Sequence, residues 1–147
     1  MGYQDLAAGE YARVTQGLWT PTISATANAG AHTYTSERMG WYYKIGSYVH
    51  LHFCCAMAKD PTISGDILLV GLPFTLKNDL GYIAGGAISS YNGFNLPTNF
   101  EQLGLQATRN NNYLNFTFSG RGGILVANHT HISTGITVRG NISYQTN

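Results

Sequence analysis

The stretch Tyr48-Val49-His50-Leu51-His52-Phe53-Cys54-Cys55-Ala56-Met57 decides the fold class. Side chains of an extended chain alternate between faces, so Val49, Leu51, Phe53, Cys55 and Met57 share one side while His50, His52, Cys54 and Ala56 share the other. This period of two predicts a strand with one face built for a core.

The pattern continues outward from there. Residues 67–70, Ile-Leu-Leu-Val, form an unbroken apolar run ending in Gly71-Leu72-Pro73-Phe74, as expected for a central strand that leaves its sheet through a proline turn. Lys77-Asn78-Asp79 marks a loop, residues 81–90 have strand character loosened by Gly85-Gly86, and residues 91–98 carry the Asn-Gly and Leu-Pro signals of irregular chain. A long exposed loop is expected at 91–98. Residues 102–107 and 112–118 predict a hairpin turned by Asn110-Asn111, and a turn at 119–123 precedes a short strand at 124–127. Residues 128–135 predict a polar loop, and a last strand holds Ile136, Val138, Ile142 and Tyr144 on its buried face. Upstream, Gly40 and Gly46 are expected at turns that bracket a short strand over 41–45. Residues 1–16 carry only short apolar clusters and read as an N-terminal arm, leaving 17–147 as one domain. The expectation is an antiparallel β-sandwich of jelly-roll type with eight or nine strands.

Composition agrees with a turn-rich β protein. Only 10% of the 147 residues are charged, against about 25% in ordinary globular domains, while Gly (18) and Tyr (10) are abundant. A formal charge of +1 gives no electrostatic footprint for nucleic acid or an anionic membrane. Cys54 and Cys55 are adjacent on a strand, point to opposite faces and are poorly placed to pair with each other, and the chain has no signal-peptide pattern. The expectation is therefore synthesis and folding in a reducing cytoplasm.

The chemistry-bearing candidates are few. His50 and His52, and likewise His129 and His131, sit two apart and project to one face if extended, but neither pair has a third ligand at recognised zinc spacing. An oligomer axis collecting one histidine from each subunit would supply the missing ligands. No serine lies in a nucleophile-elbow sequence, no carboxylate pair has a recognisable motif, and the glycines form no phosphate-cradling loop. No catalytic activity, metal or cofactor is expected. Tyr91, Asn92, Phe94 and Asn95, in the expected loop, have the aromatic and amide chemistry that stacks on and hydrogen-bonds to sugars, and it equally suits a protein interface.

A family resemblance rests on motifs spread along the chain. Gly17-Leu18-Trp19-Thr20-Pro21-Thr22-Ile23, then Gly40-Trp41-Tyr42-Tyr43-Lys44-Ile45-Gly46, resemble the G-x-W-T-P and G-x-Y-x-K-I-G signatures of jelly-roll domains in tailed-phage virion proteins. The likeness continues through residues 49–53, 64–74 and 136–144, with Trp41 and the Cys54-Cys55 pair as departures. It implies a homotrimer, either decorating a capsid or ending a tail fibre or spike. With Met1 only about 16 residues before the sandwich, a long shaft or tail anchor is not expected, which favours a capsid decoration (cement) protein on the outer virion surface. Its partner would be the major capsid protein, gripped by the arm through Tyr3, Leu6, Tyr11 and Val14. The alternative is a receptor-binding domain reading host-surface glycan or protein through residues 91–99 and 128–135.

Overall fold

The predicted strand at 48–57 forms as β4, Tyr48–Ala58, in a computed structural model that describes residues 13–147. Val49, Leu51, Phe53, Cys55 and Met57 are all buried, while His50, His52 and Cys54 are half-exposed on the opposite face. Around it lie β1 (Val14–Trp19), β2 (Thr22–Ala25), β3 (Thr33–Ile45), β5 (Ile67–Val70), β6 (Ile83–Phe94), β7 (Gln102–Thr108), β8 (Tyr113–Gly120), β9 (Gly123–Val126) and β10 (Ile132–Gln145). Every pairing between these ten strands is antiparallel. They form one sheet in the order β1-β3-β4-β10-β6-β7-β8-β5-β2, with β9 on β8. The chain is thus all-β, as its sequence predicts.

The two ends of this sheet, β1 and β2, are joined by Thr20 and Pro21 alone, so the sheet rolls until β2 comes beside β3. Proline suits this junction because it has no N–H to offer a ladder. Side chains close the seam where backbone pairing cannot. Arg38 of β3 donates from Nε to the Pro21 carbonyl (2.9 Å) and from its guanidinium to Thr22 Oγ1 (2.6 Å), while stacking 3.6 Å over the Tyr34 ring. The Tyr34 hydroxyl accepts from the Ile23 N–H (3.0 Å) and donates to the Ile23 carbonyl (3.3 Å). The rolled sheet encloses one core in which Leu51 and Val138 lie with Leu69, Leu114 and Phe116. Trp19 seals part of it, its indole N–H donating to the His52 carbonyl at 3.2 Å.

Four sequence expectations are corrected. First, strand pairing begins at Val14, inside the expected arm; no β1 residue before Trp19 is buried, so alternation gave no signal there. Second, β3 is 13 residues long, not a short strand over 41–45. Gly40 lies within it, where the Trp19 indole occupies the space a Cβ would need, whereas Gly46 does form the turn, with φ +57°. Third, Tyr91, Asn92 and Phe94 are strand residues of β6, and Phe94 is core. Gly93 has φ +83° and the Gly135 carbonyl stands against its α-carbon, so what looked like loop chemistry is a close approach of two strands. Fourth, β10 begins at Ile132, after a single 3-10 turn at His129–His131.

Candidate functional site

Among the described residues, two surfaces gather the exposed side chains with recognition chemistry. One is an end of the roll, where the two segments expected to carry recognition are neighbours. The Asn95 N–H donates to the His131 carbonyl (2.8 Å), and Asn95 Nδ2 to Ser133 Oγ (3.4 Å). Asn99, with φ 71°, accepts at its carbonyl from the Gly122 N–H (3.0 Å). Residues 64–66 join this end, because the His129 N–H donates to the Gly65 carbonyl (2.9 Å) and Asp66 bridges Asn128. Of the predicted recognition residues, Tyr91, Asn92 and Asn95 are exposed here, and Phe94 is withdrawn beneath them, packed against Phe116.

The histidines at this end have local structural work. His129 Nδ1 accepts from the Gly65 N–H (3.1 Å) and His131 Nδ1 from the Asn128 N–H (3.0 Å). Asn128 caps the 3-10 turn through Oδ1, which accepts from Thr130 N (2.9 Å). Desolvation, then the neighbouring His129, lowers the His131 pKa.

The second surface is the outer face of β1, β3 and β4. Register places Leu18 opposite Trp41, Val14 opposite Ile45, and Ile45 opposite Tyr48. Trp41 opposes His52, and Tyr43 opposes His50. These large side chains stand in solvent, with Leu18 at 75% and Val14 at 62% exposure. A shallow groove of about 490 Å³ runs among Gln16, Leu18, Met39, Trp41 and Tyr43. The sequence reading missed this face, although a signal existed. In Trp41-Tyr42-Tyr43-Lys44-Ile45 the strand is apolar on both sides, since Tyr42 turns the other way and packs edge-on against Phe74 (5.1 Å).

His50 and His52 border that face. Their Nε2 atoms are 3.0 Å apart, within hydrogen-bonding distance, and His50 Nδ1 lies 2.5 Å from Ser143 Oγ. The His52 ring stacks on Trp41 at 5.4 Å. Burial and then the adjacent His52 push the His50 pKa down. The pair is a two-nitrogen donor set, and among the described residues no His, Cys, Asp or Glu completes a group of three. Cys54 and Cys55 are both free. Cys55 is held in the core, where burial pushes its thiol up to about 12, and Cys54 lies beside Glu37 on the outer side. Glu37 itself pairs with Arg139 at 2.5 Å. Val14, predicted as an anchor of the arm, is the first residue of β1; Tyr3, Leu6 and Tyr11 lie outside the described residues.

No family model matches the chain, and no curated protein matches it significantly. Among solved structures it is similar to the Dettilon tailspike protein, with a TM-score of 0.67 and 16% identity over 89% of this chain. The chain corresponds to 24% of that tailspike's length. At this identity the likeness is one of fold: this chain shares its fold with part of a phage tailspike.

Proposed function

We propose that the chain is a structural module of a tailed-phage virion, displayed on the particle surface as a homotrimer and working by contact, not by catalysis. The observation that carries this reading is the tailspike likeness, which spans nearly the whole described chain and agrees with the motif resemblance at residues 17–23 and 40–46. It supports a place on the tail, where the end formed by residues 91–99 and 128–135 would meet host-surface glycan or protein. Exposed aromatic and amide groups at Tyr91, Asn92 and Asn95 suit that contact.

A different observation favours the second reading, a decoration protein on the capsid. Leu80, Ile83 and Ile124, away from the outer face of β1 and β3, are large apolar side chains standing in solvent, and such groups suit protein contact better than sugar. Under this reading the residues before β1 grip the major capsid protein.

Antibody labelling of intact particles separates the two, because head and tail are discrete positions; label on neither overturns the virion assignment. Binding of the purified chain to a host-glycan array supports the receptor reading. Hydrolysis of host polysaccharide by the same preparation overturns the non-catalytic one.

A further inference from the structure

We infer that the outer face of β1, β3 and β4 is the surface on which copies of this chain associate. The inference rests on the homo-oligomeric part of the function proposed above and assigns residues to it.

The first argument is area. Val14, Leu18, Met39, Trp41, Tyr43, Ile45 and Tyr48 together leave roughly 700 Å² of side chain in water, given their fractional exposures and the size of such residues. The largest apolar patch on an ordinary monomer is about 300–600 Å², and each partner in a standard interface contributes about 800 Å². The face therefore has nearly the extent of a complete interface before any rim is counted.

The second argument is chemical. None of these seven side chains is charged, and Lys44 of β3 turns away, its ammonium 5.5 Å from the Phe74 ring on the other side. An uncharged, aliphatic and aromatic centre is the composition of permanent homo-oligomer interfaces, whereas transient partners bring polar and charged contacts. A face of this kind must be covered from synthesis onward to avoid aggregation, and the partner present at every synthesis is another copy.

The third argument is the edge. Among the described residues β1 pairs only with β3, leaving its other backbone edge open. The sequence Val14-Thr15-Gln16-Gly17-Leu18-Trp19 carries none of the usual guards of a free edge, such as lysine or proline. Coverage by a neighbouring copy protects edge and face together.

Light scattering after size exclusion tests this with the full chain, its Leu18→Asp/Tyr43→Asp variant, and a variant carrying Tyr43→Lys alone. Both positions are exposed, so the strand content measured by circular dichroism is expected to persist. The expected result is a native homo-oligomer, a monomeric double variant, and an association constant weakened about 100-fold or more by the pair of charges. A native oligomer that both variants leave intact overturns the assignment of this face while preserving the homo-oligomeric reading. A native monomer overturns both. A native monomer that associates only after deletion of residues 1–12 would mean that the chain's own N-terminal segment covers the face, which also overturns the inference.

Discussion

β4 and β6 both pair with β10, one on each side, yet they hold their places by different means. In β4 the side chains carry the register: five alternating residues enter the core, and a slip of one would exchange them for two histidines and a cysteine. β6 contributes Ala84, Gly86 and Phe94 from a strand with two register shifts against β10. Its fit depends on missing side chains. A Cβ on Gly86 would stand 2.6 Å from the Asn141 carbonyl, and Gly93 leaves no room before the Gly135 carbonyl. One strand is specified by what it inserts and the other by what it omits. Only the first kind of specification repeats in sequence with a period.

The contrast is broken most strongly on the β4 side. Leu51→Ala removes a fully buried side chain from the centre of the roll and is expected to cost about 3–4 kcal/mol, read as a shifted urea midpoint. Gly93→Ala tests the opposite mechanism: a methyl group is added, φ is positive, and the loss is about 2–3 kcal/mol. Were Gly93→Ala neutral, the close approach of β6 to the β10 bulge would not be what fixes this strand.

Smaller effects sharpen the outer faces of the same two strands. The His50 pKa is depressed, so between the ordinary value of 6.5 and the lower folded value the unfolded chain binds more protons. Stability therefore falls as the pH drops through that window and is recovered above it. His32 and His131 are shifted in the same direction, so His50→Gln should reduce the slope of melting temperature against pH between about 7.5 and 5 without abolishing it. On β6, Asn92→Ala is expected to change stability by less than about 0.5 kcal/mol, since Asn92 is exposed. If the loop end recognises a receptor, the same substitution weakens binding to host cells, which separates recognition from folding.

Much of the fold was legible because burial imposes a period. Residues 67–70 form β5 as read, the hairpin of β7 and β8 turns at Asn110 with φ 61°, and the buried face of the last strand includes Ile136, Val138, Ile142 and Tyr144. Residues 14–16 and 91–94 were misread for a common reason. An edge strand without buried positions and a strand seated by glycine both lack the alternation that marks a core face. The candidate surfaces were less legible still. The segments 91–99 and 128–135 are distant in sequence and each is named from it, but their adjacency comes from hydrogen bonds such as Asn95 to His131. Trp41, Tyr43 and Ile45 alternate in plain view, yet which side of β3 faces water depends on where Phe53 and Trp19 lie.

The sequence by itself determined that this chain would be all-β, which side of β4 would be core, and where several of the turns would fall, because these follow from local backbone geometry and the exclusion of apolar groups from water. Only the tertiary structure decided how far the sheet rolls, that β3 reaches β2 through Arg38 and Tyr34 to close it, and which apolar residues remain outside. Those outcomes depend on contacts between residues far apart in the chain, and a two-residue period carries no record of them.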